Sequence, residues 1–235
     1  MAWAKSTGLT DEEADFEMSE EAGCQSPEML HARIRRTAGK ADHRLNSLLN
    51  GTLEAEVSGA DRCLTIDMMK CTNALRVILM PSRADRPLAS EDYDIHIEGR
   101  NGWLAYDASA YRNDPVDYYP YQQYLEQDAS RSGQTTTEIN HAVVADLNTS
   151  RILHGSNPRL VVRNSRLDRE VLNIDLAWFL SLQSIGEHKD EWSAQEYLDR
   201  QDEYAMTFFI DGSAWMTTRI VINGWVLSLE DAELK

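Results

Sequence analysis

The stretch Tyr197-Leu-Asp-Arg-Gln-Asp-Glu-Tyr-Ala-Met-Thr-Phe-Phe-Ile-Asp211 is followed, after Gly212-Ser213, by Ala214-Trp-Met-Thr-Thr-Arg-Ile-Val-Ile-Asn-Gly-Trp-Val-Leu-Ser-Leu-Glu230. In the first run Tyr204, Met206, Phe208 and Ile210 fall at alternate positions, the period of a strand with one face in a core. In the second, Trp215, Thr217, Arg219, Val221, Asn223, Trp225 and Leu227 share one side, and Met216, Thr218, Ile220, Ile222 and Val226 the other. This reads as one very long strand, with Gly224 marking a bulge or bend. On that reading Trp225 shares a face with Val221 and Leu227 and is expected in the core. The densest β-forming sequence thus closes the chain, and no loop follows it in which a catalytic group is expected.

Working upstream, residues 170–175 and 159–163 read as a hairpin joined by 164–169. Residues 140–147 read as a strand. Residues 107–135 read as a long Tyr- and Asp-rich loop holding Tyr118, Tyr119, Tyr121 and Tyr124. Tyr93, Ile95 and Ile97 alternate with Asp92, Asp94, His96 and Glu98, and Asn101-Gly102 then predicts a tight hairpin into Trp103. Leu75-Arg-Val-Ile-Leu-Met80 is a strand stopped by Pro81, and residues 52–57 and 63–68 predict two further strands. Residues 176–182 predict a helical turn. Ser193 with Glu196, and Thr10 with Glu13, have capping-box spacing. Many short strands at near-regular spacing with little helix predict an all-β antiparallel sandwich.

The composition narrows the function classes. With 39 acidic against 23 basic residues the net charge is −16, which repels phosphate backbones and excludes nucleic acid as an expected partner. Residues 11–21 carry seven of the acids, the pattern of a solvated segment. Arg33, Arg35 and Arg36 read as a charge-balanced loop or as an Arg-specific cleavage site. No run of 18 apolar residues is present to span a membrane, and the first residues lack the basic and apolar regions of a signal peptide. Cys24, Cys63 and Cys71 form no CxxC pair, so neither a zinc knuckle nor a disulfide framework is expected; Cys63 and Cys71 read as buried thiols, with a bridge between them left open.

Three constellations bear on chemistry. Asp92, Asp94 and His96 have the spacing of metal ligands on one strand face, which is equally that of a solvated polar face. The tyrosine-rich loop with Trp103 reads as a sugar-stacking platform or as aromatic packing at a sheet edge. Asn148-Thr-Ser150 fits a glycosylation sequon. No P-loop, G-x-G-x-x-G or G-x-S-x-G occurs. No residue is assigned to a catalytic, cofactor or metal site, and no cofactor is expected.

The order of several short stretches resembles a known family. Lys70-Cys-Thr-Asn73 precedes Leu75-Arg-Val-Ile-Leu79; Asn101-Gly102-Trp103, Pro158-Arg-Leu-Val-Val162, Tyr197 to Tyr204 and Ile222-Asn-Gly-Trp225 follow. Over residues 62–235 this is similar to the FimB-type anchor and accessory subunits of type V (Bacteroidia-type) pili. The resemblance implies a transthyretin-like β-sandwich and a non-catalytic structural subunit of a cell-surface fimbria. It implies an outer-membrane location and other fimbrial subunits as partners, joined by strand addition, with a host or glycan ligand left open. Residues 1–71 then read as the tail of a truncated N-terminal β-domain, with a late strand at Ala2 to Ala4, and residues 72–235 as the C-terminal sandwich. The family's lipid-bearing N-terminal cysteine has no counterpart, so membrane attachment through such an anchor does not carry over to this chain. Strands at 1–5, 52–57 and 62–68 are expected to lack neighbours, leaving Leu53, Val57, Leu64 and Ile66 partly wet. The alternative from a different class is a cell-surface carbohydrate-binding β-sandwich protein.

Overall fold

The computed structural model describes residues 2–5, 15–19, 26–56, 63–82, 87–127, 141–187, 191–211, 214–222 and 225–228. In chain order the strands are β1 (Ala2–Lys5), β2 (Phe16–Met18), β3 (His31–Ile34), β4 (Lys40–Ala41), β5 (Leu48–Gly51), β6 (Met69–Lys70), β7 (Thr72–Pro81), β8 (Tyr93–Gly99), β9 (Trp103–Ala105), β10 (Val116–Tyr118), β11 (Gln122–Gln127), β12 (His141–Ser150), β13 (Arg159–Asn164) and β14 (Arg169–Asp175). Helices α1 (Leu176–Glu187) and α2 (Ala194–Arg200) follow, then β15 (Glu203–Asp211), β16 (Ala214–Ile222) and β17 (Trp225–Ser228).

Two sheets carry the sandwich. One has six strands in the order β11-β12-β7-β15-β16-β17, and the other five in the order β14-β13-β8-β10-β4. All neighbours are antiparallel except two pairs, β7 with β15 and β4 with β10. Period-2 alternation puts Leu75, Val77 and Leu79 of β7, Val143, Ala145 and Leu147 of β12, and Tyr204, Met206, Phe208 and Ile210 of β15 into one core. Tyr93, Ile95 and Ile97 of β8, with Leu160 and Val162 of β13, belong to the same core. Each buried Val, Leu, Ile, Phe or Met side chain among them contributes about 1.5–3 kcal/mol by leaving water. α1 starts where Asp175 accepts the N–H of Trp178 at 3.0 Å. It lays Phe179 on Phe208, ring centroids 5.8 Å apart.

Two three-stranded sheets flank the sandwich, β1-β5-β6 and β2-β3-β9. The first seventy residues are tied to the rest by β3 pairing with β9 in the second of these sheets and by β4 pairing with β10 in the five-stranded sheet. Phe16, Ile34, Leu45 and Leu48 share the core cluster with Val116 and Tyr118.

The structure departs from the sequence reading in instructive places. The long terminal strand is two strands: Ile222 pairs with Trp225 and Val221 with Val226. The residues between are Asn223-Gly224, the strongest dipeptide signal for a two-residue hairpin, here outweighed in the reading by the unbroken alternation around it. Conversely, Asn101-Gly102 makes no hairpin. β8 pairs with β10 and β13, whereas β9 crosses to β3. Asn101 is buried, donates to the carbonyls of Ser150 (3.4 Å) and Arg151 (2.9 Å), and accepts from the Tyr118 hydroxyl at 2.9 Å. Those long-range bonds replace the turn. Residues 52–56 form no strand; the pairing sits just before them, in β5. Leu53 is exposed, as are Glu54 and Glu56, so the alternation there has no partner to bury against. Residues 63–68 likewise run unpaired up to β6. They pass so close to β5 that a Cβ on Gly51 would lie 2.5 Å from the Asp67 carbonyl, which makes glycine obligatory there. The tyrosine-rich loop contains β10 and β11. The predicted helical turn at 176–182 runs on to Glu187. Ser193 caps α2, accepting from the Glu196 N–H at 3.2 Å, while the Glu196 carboxylate turns to Arg200 instead of closing the box. Thr10 and Glu13 lie outside the described residues.

Candidate functional site

An association surface needs backbone groups without partners, and sheet edges supply them. The edge strands differ in what guards them. β14 carries Arg169, Glu170 and Asp175, and β11 carries two glutamines at its start and Glu126-Gln127 at its end. Such residues discourage pairing with another chain. β4 is only two residues long. β1 reads Ala-Trp-Ala-Lys and forms the outer strand of β1-β5-β6, pairing Ala2 with Gly51, Trp3 with Asn50 and Ala4 with Leu49. Trp3 packs against the core cluster, yet its indole N–H is covered and has no hydrogen-bond partner among the described residues. Leu53, just past β5, is 41% exposed, and Leu64, ahead of β6, 57%. Ile66 is half-buried; Val57 lies outside the described residues. This small sheet therefore ends, on its β1 side, in a short edge of mostly apolar residues; the exposed Leu53 and Leu64 lie past β5 and ahead of β6, away from that edge in the strand order.

The predicted aromatic platform takes a different form. Trp103 on β9 meets His31 and Tyr111 edge-on, each at 4.8 Å between ring centroids, and His31 stacks on Tyr111 at 5.6 Å. The guanidiniums of Arg33 and Arg112 lie over the Trp103 ring at 5.0 and 5.3 Å. With four neighbours packed on it, Trp103 presents no bare face for a sugar ring. Cation–π contacts of this kind hold the surface cluster together.

Behind the cluster lies a charge centre that no local motif announces. Asp114 takes both guanidinium N–H bonds of Arg36 Nη2, at 2.8 and 2.7 Å, and one from Arg33 Nε at 3.3 Å. Arg36 also donates to the Pro115 carbonyl at 2.6 Å. Burial works to raise the Asp114 pKa; the hydrogen bonds and charges of Arg36 and Arg33 outweigh it and hold the carboxyl below its ordinary value. Gly102 makes room for this pair, since a Cβ there would stand 2.4 Å from Arg36 Nη1. Arg35 lies 4.0 Å from Glu17. With Arg33 inside a paired strand and Arg36 locked to Asp114, the arginine cluster is charge-balanced structure, poorly suited to a protease.

The remaining sequence candidates separate. Asp94 and His96 share the outer face of β8, His96 lying 3.1 Å from Asp94 and 3.7 Å from Glu98 and stacking on Tyr119. Asp92 sits ahead of the strand and pairs with Arg166 at 3.2 Å. No group of three or more metal-ligating side chains converges among the described residues. Asn148 of the sequon is tied into the sheet, donating to the Asn73 carbonyl and accepting from the Leu45 N–H, and Thr149 and Ser150 are buried. A glycan there would have to displace the fold. Cys63 and Cys71 are free thiols, so they form no bridge. Cys63 is exposed rather than buried, whereas Cys71 is buried and its thiol is pushed up to about 12, chiefly by that burial.

The family model of fimbrillin-A associated anchor proteins Mfa1 and Mfa2 matches residues 1–231. No curated protein matches the chain in sequence. Among solved structures, a candidate adhesin from Bacteroides thetaiotaomicron is similar at TM-score 0.81 and 25% identity, over 96% of this chain and 75% of that one. A candidate polysaccharide-binding protein from the same organism is similar at TM-score 0.77 and 27% identity, over 97% and 75%. The fimbrial anchor protein Mfa2 from Porphyromonas gingivalis shares the fold at TM-score 0.58 and 15% identity, over 96% and 74%.

Proposed function

The chain belongs to the family of fimbrillin-A associated anchor proteins Mfa1 and Mfa2, and from that premise we propose that it joins other fimbrial subunits by accepting a β-strand at the outer edge of β1. Its role is structural and its place is the fimbrium at the cell surface, on our reading at the outer membrane, as an anchor or accessory subunit without catalysis. The observation that carries the strand-addition reading is the edge itself. β1 is apolar from Ala2 to Ala4, with one charge at its Lys5 end, and is paired on one side only among the described residues. It belongs to a sheet of three strands, few enough for an added strand to bring real stabilisation. Main-chain hydrogen bonds along such an edge provide affinity, and alternate side chains of the incoming strand provide specificity.

Proline scanning tests it. Successive N–H groups of an edge strand point alternately to the paired neighbour and to solvent. Of Ala4→Pro and Lys5→Pro, neither of which removes the core-packed Trp3 side chain, one should therefore damage the β1–β5 pairing. The other should leave the melting temperature unchanged while abolishing co-purification of fimbrial subunits from the encoding cells. If both variants capture those subunits as the parent does, the edge of β1 is not the acceptor.

A further inference from the structure

The solvent face of the six-stranded sheet holds a cleft of about 520 Å³, apart from both the β1 edge and the Trp103 cluster. Its floor is the side-by-side run of β7 and β15, contributing Ala74, Arg76 and Ala205. Tyr121, at the entry to β11, and Gln201, at the end of α2, stand at its rim. Small residues on the floor matter: alanines at 74 and 205 leave depth where larger side chains would level the sheet.

The polar groups are arranged as a set. Arg76 grips Asp146 of β12 with Nε at 2.7 Å and Nη2 at 3.2 Å. That uses two of the five guanidinium N–H groups and one lone pair on each carboxylate oxygen, leaving donors and acceptors adjacent on one rigid, planar pair. Gln201 adds an amide whose bond within the protein, to the Glu203 carbonyl, is a long 3.4 Å. The Tyr121 hydroxyl has no partner among the described residues, while its backbone N–H is fixed to the Asp146 carbonyl at 3.0 Å, which anchors this lining residue at the cleft.

We propose that this cleft binds a neutral oligosaccharide. The volume lies in the range of small-molecule sites and suits two or three sugar rings. A half-polar wall wastes affinity on an apolar ligand but matches hydroxyls that both donate and accept. Vicinal hydroxyls match the paired geometry of Arg76 and Asp146, and Tyr121 offers an apolar ring surface to the C–H face of a sugar. Charge sets the class. Arg76 is neutralised by Asp146, and the Glu126 carboxylate also acts on it from β11, so the site has no free cation for an acidic sugar. An acidic sugar gains nothing here over a neutral one.

Saturation-transfer NMR and calorimetric titration with maltotriose, cellotriose, mannotriose and, as the charged control, trigalacturonic acid decide the matter. At least one neutral trisaccharide should bind, and trigalacturonic acid should bind no more tightly. Tyr121→Ala and Arg76→Gln should each weaken binding by about tenfold or more, which is 1.4 kcal/mol. Tyr121 is a rim residue, so Tyr121→Ala should melt like the parent; Gln201→Ala provides a second rim variant should Arg76→Gln lose stability. Absence of transfer to all three neutral sugars, stronger binding of trigalacturonic acid, or unchanged binding in both rim variants each overturns the proposal. None of these readouts depends on subunit assembly.

Discussion

Asp114 shows how much a single residue can organise here. Its partners Arg33 and Arg36 lie some eighty positions upstream, and together they bind the loop before β10 to β3 and the turn after it. Breaking a fully buried ion pair costs about 3–5 kcal/mol. Arg36 and Asp114 are half-buried and Asp114 keeps Arg33 when Arg36 is lost, so Arg36→Ala is expected to cost less, about 1.5–3 kcal/mol, the range of a hydrogen bond to a charged group. The pH dependence follows from the depressed carboxyl. A group whose folded pKa lies below its unfolded value stabilises fully above the ordinary Asp value of about 4, and loses that contribution as the pH falls through its lowered pKa. Urea midpoints of the parent and Arg36→Ala should therefore lie furthest apart at neutral pH and converge below about pH 4. A gap that stays constant into acid would mean that Arg36 acts by packing alone.

At the scale of the element, what was legible in the sequence and what was not follow one physical rule. Strands that bury a face in the shared core were readable from period 2 alone: Tyr204, Met206, Phe208 and Ile210 in β15, Ile95 and Ile97 in β8, Leu160 and Val162 in β13. Alternation without a neighbour was not a strand, as at Leu53 and Glu54. Turns were ambiguous because an Asn-Gly pair does not by itself signify a hairpin: at Asn101 it supplies a buried amide that bonds across the sandwich. The clustering of His31, Trp103 and Tyr111, and of Tyr121 with Arg76 and Gln201, depends on which strands pair, which no local pattern encodes. The hairpin also changes the argument for Trp225. Its backbone pairs with Ile222, and Ile222 pairs with Met206, a core position of β15. Register across paired strands thus puts position 225 on the face of Met206 and Phe208, not on that of Val221. Trp225→Ala is accordingly expected to lower stability by about 3–5 kcal/mol; an unchanged denaturation midpoint would contradict a core position there.

For the whole molecule, the open question is how independently the parts fold and how they meet a partner. We propose that residues 72–235 are a folding unit in their own right, since both large sheets except β4 lie within them. Without residues 1–71 the fragment loses β3 beside β9 and β4 beside β10, so it should unfold cooperatively but at lower denaturant than the full chain. A fragment without a cooperative transition would make residues 1–71 part of one unit with the rest. The central claim, strand acceptance at β1, is tested most directly by site-specific photo-crosslinking in assembled fimbriae. A benzophenone amino acid is placed in turn at position 4 on β1, position 170 on β14 and position 226 on β17. The account predicts a covalent adduct with a second fimbrial subunit from position 4 and none from the other two. Adducts from position 170 or 226, with none from position 4, would contradict it.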